Sequence, residues 1–199
     1  MKYLDKILKL VKAGKIKTRY SHDNRLSFQN QKIMFEVDCS GLLEFWLGKR
    51  HPEALKEIYD YIYKVRSVDK TEIQRLYSFD IYDFFAHLVQ NESRYWLVAE
   101  INEVFQEGDV IAFVKEGERN RFGHVALVQK ELGRNAEKIT VRVIDSSQVE
   151  HIDDWRQTKE NGIGEGTLEI HCQSGSVTAV CYTPDCIKIR KVLVGRLKK

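Results

Sequence analysis

The chain has little of what would carry it into or across a membrane. No stretch approaches the roughly 20 apolar residues that a helical span requires. Near its start, where a secretion signal would need an uninterrupted apolar run of about 7–15 residues, Asp5, Lys6, Lys9 and Lys12 break every run. The expectation is a protein without a membrane span, cytoplasmic unless a specialised system exports it. Net charge is also scarce: 32 basic and 29 acidic side chains leave only +3. Their interspersion argues against nucleic acid or a bilayer surface as partner. The segment from Lys2 to Lys17 carries much of the excess, yet Leu4, Ile7, Leu8 and Val11 recur there at helical spacing, which predicts a surface helix with a solvated basic face. Cysteines number four and are irregularly spaced, which together with the missing signal favours a reducing compartment. What is present is ordinary for one globular domain over residues 1–199, with 43% hydrophobic residues and enough length for a sizeable core.

One of the four cysteines stands in a distinctive place. In Asp38-Cys39-Ser40-Gly41-Leu42-Leu43 it follows a cap-forming aspartate and begins an apolar run with helical spacing. The exposed N–H groups and positive dipole end of a helix favour an anion, so a first-turn cysteine is a site where a nucleophilic thiolate forms readily. Taken alone, such a cysteine is more often an inert buried thiol. The case for Cys39 as nucleophile rests on two strands downstream. Gly123-His124-Val125-Ala126-Leu127-Val128 reads as a buried strand with a histidine near its start, and histidine is the base best poised near neutral pH. Ile139 to Ser146 alternates like a strand and ends in Asp145. A hairpin around Gly133-Arg134-Asn135 would set the two strands side by side, so that Asp145 orients the imidazole and stabilises its charged form. Candidate catalytic residues are therefore Cys39, His124 and Asp145.

In order and spacing these segments resemble the NlpC-type papain-like cysteine peptidases of bacterial cell-wall metabolism. Asp38-Cys39-Ser40-Gly41 matches the family's nucleophile motif. Glu107-Gly108-Asp109 leading into Val110-Phe113 matches its turn and strand, His124-Val125 its base, and Ile144-Asp145-Ser146-Ser147 its third strand end. Tyr20, after Thr18-Arg19, is similar to the family's upstream active-site tyrosine. The resemblance covers roughly residues 18 to 150. It implies a papain-like α+β fold, with N-terminal helices, including the nucleophile helix, packed on an antiparallel sheet. It also implies a hydrolase, a thiol peptidase or amidase, acting on a peptidoglycan-derived or related peptide. No cofactor and no metal enter this scheme; the partner is a peptide or amide substrate. Tyr20, Asp38 and Ser40 are the expected oxyanion and substrate-binding residues. The sequence departs from the family in carrying aspartate where histidine, asparagine or glutamine is usual. It also replaces a tryptophan-glycine-glycine segment by Ser21-His22-Asp23-Asn24, and it inserts a helical, aromatic stretch at about 51–103. Two other functions use the same residues: acyl transfer or deacylation by the Cys39 and His124 pair, and a non-catalytic papain-like binding module.

Within the insert, Pro52 followed by Leu55, Ile58, Tyr59, Ile62 and Val65 predicts one helix, and Phe79 to Val89 another. Gln148 to Asn161 has no clear period and reads either as a loop overhanging the site or as a solvated connector. Gly162-Ile163-Gly164-Glu165-Gly166 leads into a strand, Thr167 to Cys172, where a phosphate cradle would open a helix, so its glycines are expected to serve a turn. A two-residue hairpin at Ser174-Gly175 would place Leu168 opposite Cys181, about 13 Å along the ladder from Cys172. That is too far for a disulfide or a shared zinc. Cys172 and Cys181 then read as buried core thiols, Cys186 as a loop thiol without a partner, and Ile187 to Leu197 as a last strand.

Overall fold

A computed structural model of the chain describes residues 1–29, 32–67, 75–115, 123–156, 160–181 and 191–199. Its first half runs α1 (Lys2–Lys12), β1 (Ile16–Arg19), β2 (Arg25–Gln29), β3 (Lys32–Glu36), α2 (Cys39–Arg50), α3 (Pro52–Arg66) and α4 (Ser78–Leu88). Strands follow: β4 (Trp96–Ala99), β5 (Val110–Val114), β6 (Gly123–Arg134), β7 (Lys138–Ser147), β8 (Gly162–Gln173), β9 (Ser176–Cys181) and β10 (Lys191–Leu197). The fold class is α+β, as the sequence pattern predicts. Seven strands form one antiparallel sheet in the order β4-β10-β5-β6-β7-β8-β9, and a small sheet is ordered β1-β3-β2, with β1 parallel to β3.

The amphipathic pattern of α1 buries Leu4, Ile7 and Leu8 and ends at Ala13, where Gly14 turns to φ 65° and releases the chain into β1. Pro52 stands in the first turn of α3, where its missing N–H costs nothing. The stretch at 51–103 is less purely helical than expected, since it also supplies the edge strand β4. Leu42, Leu43, Trp46 and Leu47 of α2 join Phe84 and Phe85 of α4, Trp96, Val125, Leu127 and Ile144 in one core. Ile111, Phe113, Ala126, Val128, Val141 and Val143 belong to a second. Burial on both faces explains why β5 reads as an unbroken apolar run. Its entry is fixed by Asp109, whose carboxylate accepts from the Gln106 amide at 2.8 Å and from Arg196 of β10 at 2.8 and 2.9 Å.

The C-terminal hairpin turns on Ser174 and Gly175, both at positive φ (51° and 78°), as a tight two-residue turn requires. Cys172 lies opposite Val177 as expected. A register shift between His171 and Cys172 then moves the partner of Cys181 from Leu168 to Glu169. Cys181 itself corrects a sequence-based expectation. It is disulfide-bonded, to a partner outside the described residues, and not a core thiol. Cys39 and Cys172 are free. The disulfide removes the cysteine argument for a reducing compartment. Cys186 and the stretch from Ile187 to Arg190 lie outside the described residues, and the last strand is described from Lys191.

Candidate active site

The motif Asp38-Cys39-Ser40-Gly41 builds the start of α2. Asp38 is its N-cap, accepting from the Gly41 amide at 2.7 Å. The Ser40 hydroxyl sits between Asp38 Oδ1 and the Leu76 carbonyl, 3.0 Å from each. Asn24 accepts from the Asp38 amide at 3.2 Å, and only glycine at position 41 leaves it room, since a Cβ there would lie 2.1 Å from Asn24 Oδ1. Asp38 is further held by Arg75 and by His22 Nδ1 at 2.7 Å. Asp38 and Ser40, expected to bind substrate, thus line the cleft with their polar atoms committed to the helix cap. Cys39 is the first helical residue and only 6% exposed.

The end of the β6–β7 ladder makes the place for this cap. Pairing between the two strands stops at Leu127–Ile144, while β6 runs back to Gly123 along β5 and β7 runs on to Ser147 along β8. Where they part, Ser146 donates from its hydroxyl to the Val37 carbonyl at 2.6 Å, docking the cap residue's neighbour onto β7. His124 and Asp145 meet there. Both are buried (6% and 1% exposed), and His124 Nε2 is hydrogen-bonded to Asp145 Oδ2. Cys39 is the imidazole's other electrostatic partner, and both residues line the same cleft. Burial alone would lower the His124 pKa. The charges and hydrogen bonds of Cys39 and Asp145 overcome it and hold the ring well above the ordinary imidazole range. Asp145, which burial would raise, is held well below the usual carboxylate range by the charges and hydrogen bonds of His151 and His124.

His151, which the sequence offers, with Ser146, only as an alternative to Asp145 for orienting the imidazole, joins the site beside Asp145. The Gln148 to Asn161 stretch was expected to overhang the site or to be solvated. Gln148 and Val149 do line the cleft, but from His151 to Arg156 the chain turns inward behind Asp145. His151 Nε2 lies 2.8 Å from Asp145 Oδ2, and its Nδ1 lies 3.0 Å from both Asp154 Oδ2 and Arg156 Nη2. Arg156 Nε donates to the same Asp154 oxygen at 2.9 Å. The glycines of β8 create the space. A Cβ at Gly166 would lie 2.2 Å from His151 Cβ, and one at Gly164 would lie 2.3 Å from Arg156 Nε. They therefore lie within a strand, under packed side chains, and do not form the expected turn. Alternate glycines in a strand signal such close approach.

A cleft of about 420 Å³ opens on Cys39, walled by Tyr20, His22, Arg75, Tyr77 and Phe79. Tyr77 and Phe79 stack with centroids 5.2 Å apart, and Arg75 lies 4.5 Å over the Tyr77 ring. Burial, with the neighbouring charges of Cys39, Asp38 and Asp145, raises the Tyr20 phenol and keeps it a donor. A larger groove of about 600 Å³, beside Arg134 and Cys172, lacks any comparable cluster. His124, Asp145 and His151 bring potential ligand atoms within 4.8 Å of one another. Ligands around a tetrahedral ion at about 2.05 Å stand about 3.3 Å apart, whereas both imidazoles approach one carboxylate oxygen at hydrogen-bond distance. The trio is a hydrogen-bonded relay in its geometry. No family model matches this chain, and neither a curated protein nor a solved structure is significantly similar to it.

Proposed function

We propose that the chain is a cysteine hydrolase of papain-like design that cleaves an amide or peptide bond with Cys39, His124 and Asp145. The observation that supports it is the thiol at a capped helix start, in one cleft with a buried imidazole that is hydrogen-bonded to the buried Asp145 carboxylate and that Cys39 and Asp145 together hold above its ordinary pKa range. In this reading Cys39 Sγ bonds to the carbonyl carbon while the developing oxyanion is met by the Cys39 backbone N–H and the Tyr20 hydroxyl. His124 gives its proton to the leaving nitrogen as the C–N bond breaks. Water then attacks the thioester, its proton passes to His124, and the carboxylic acid departs from the regenerated thiolate. Asp145 keeps the ring oriented throughout. The resemblance to NlpC-type peptidases suggests a peptide of peptidoglycan type as substrate.

The test compares the two free cysteines. Brief, limiting iodoacetamide at pH 6, read by peptide mass spectrometry, should label Cys39 well before Cys172. Access alone predicts the opposite order, because Cys39 is buried and Cys172 half-buried. Labelling of Cys172 first, or of both at one rate, would count against an activated thiol.

A further inference from the structure

We propose that His151 is a positioning residue of this site: bonded through both ring nitrogens, it fixes the Asp145 carboxylate under His124 and, as a second cation on that carboxylate, limits how firmly His124 keeps its proton. The inference rests on the thiol-hydrolase reading above and adds a regulator of its base.

The geometry leaves His151 little freedom. It is 3% exposed, and both nitrogens face carboxylate oxygens, at 2.8 Å to Asp145 and 3.0 Å to Asp154. Asp145 only accepts, so Nε2 carries a hydrogen; Nδ1 lies 3.0 Å from both Asp154 Oδ2 and Arg156 Nη2, and in this proposal its hydrogen, which makes the ring an imidazolium, goes to Asp154. Burial and the Arg156 charge oppose that charge, while Asp145 and Asp154 favour it and raise the pKa of the ring. The charged groups facing His151 are Asp145 from β7, with His124 of β6 beyond it, and Asp154 and Arg156 from its own loop. On the β8 side Gly164 and Gly166 bring no charge. Donors and acceptors therefore alternate from Cys39 through His124, Asp145, His151 and Asp154 to Arg156.

The consequence for catalysis is electrostatic. In a simple triad one carboxylate serves one imidazolium and can hold its proton too tightly for transfer to a leaving group. Here Asp145 Oδ2 is shared by two imidazoliums, and their ring nitrogens lie within 4.8 Å of each other. A like charge at that range disfavours the charged form of each. His151 thus offsets part of the stabilisation that Asp145 and Cys39 give to the His124 cation. It does so without touching substrate.

The experiment follows Cys39 alkylation by iodoacetamide from pH 5 to 10 in the full chain, comparing the parent with His151→Gln. Its rate changes where His124 loses its proton. In the His151→Gln protein, whose amide can still donate to Asp145, that step should move up by about one pH unit or more. An unmoved step, with Cys39 still the fast thiol, would overturn the role of His151 and leave the hydrolase reading intact. A parent Cys39 no faster than Cys172 would overturn both. Should the variant fail to fold, ¹⁵N-histidine NMR of the parent decides. The resonances assigned to His124 and His151 should both show protons on both ring nitrogens at pH 7.5, and a singly protonated His151 would remove the second cation and the inference with it.

Discussion

Replacing Asp145 by asparagine isolates the charge at the centre of this site. The amide oxygen can accept from both histidines as Asp145 Oδ2 does, so shape and hydrogen bonds survive while the negative charge is lost. His124 is then left with Cys39, and His151 with Asp154, as their remaining opposite charges. Removing one partner of a buried ion pair costs about 3–5 kcal/mol, and that is the expected loss near pH 6. Its pH dependence is the sharper test. In the parent, both histidines have raised pKa values. Their contribution is fully present below the unfolded value of about 6.5 and falls by about 1.4 kcal/mol per histidine per pH unit above it, until each folded pKa is passed. In the Asp145→Asn protein burial meets weaker opposition, from Cys39 at His124 and from Asp154 at His151, so both folded pKa values fall and less of this pH-dependent loss remains. The gap between the two proteins should therefore shrink steadily between pH 6.5 and 8.5. Urea unfolding followed by circular dichroism at half-unit pH steps measures it. A gap equally large at both ends of that range would refute the claim that Asp145 works as the counter-ion of two buried cations. Turnover should fall by about two to four orders of magnitude, since an amide cannot stabilise the imidazolium.

Three further outcomes follow from the geometry. Gly166→Ala pushes a methyl into His151 and should cost about 1–3 kcal/mol as overpacking while slowing Cys39 alkylation at pH 6; a G166A protein as stable and as reactive as the parent would mean that the loop does not press on β8. Glu44, which receives the Tyr59 hydroxyl, is pushed up to about 7 by burial, so its folded form loses stability as pH rises from about 4.3 toward 7, and Glu44→Gln should be the more stable protein above pH 7, by about 3 kcal/mol in urea melts. The aromatic walls of a 420 Å³ cleft favour small soluble peptides, so free muropeptides should be cleaved faster than intact sacculi; faster release of stem peptides from sacculi, read by chromatography, would argue for an ordinary wall hydrolase.

The parts of this molecule governed by local chemistry were legible in the sequence. Asp38 reads as a cap because a short carboxylate there satisfies a first-turn amide, and it does so at Gly41. Ser174-Gly175 reads as a hairpin because both positions need positive φ. The cleft residues His22 and Arg75 carry no such signal: they meet at Asp38 from 16 and 37 positions away, outside any periodic element. The register shift that moves Cys181 is invisible for the same reason, since nothing in Leu168 to Cys172 marks which residue will be left unpaired. The stretch from His151 to Arg156 misled by composition. Polar residues without a period read as solvated, whereas here the side chains of His151, Asp154 and Arg156 are buried because each charge meets its opposite. The corresponding signal lay elsewhere, in the alternation of Gly162, Gly164 and Gly166, which a search for turns converts into punctuation.

That burial bears on why the relay is there. An ion pair removed from water gains little net stability, because desolvation of both charges offsets their attraction, and replacing a buried pair by apolar residues of similar volume is often neutral or stabilising. Stability alone therefore gives no reason to place the side chains of Asp145, His151, Asp154 and Arg156 side by side, each at most 2% exposed, or to leave β8 without side chains at two positions so that they fit. A structural ion pair would also have no need to end on a thiol. The Cys39 end of the series is where a charge must form and disappear during a reaction, and the glycine-backed series supplies a fixed field at that point, with no water to reorganise. On this argument the proposed hydrolase and the proposed role of His151 stand or fall at separate places: the first at the reactivity of Cys39, the second at the pH where His124 gives up its proton.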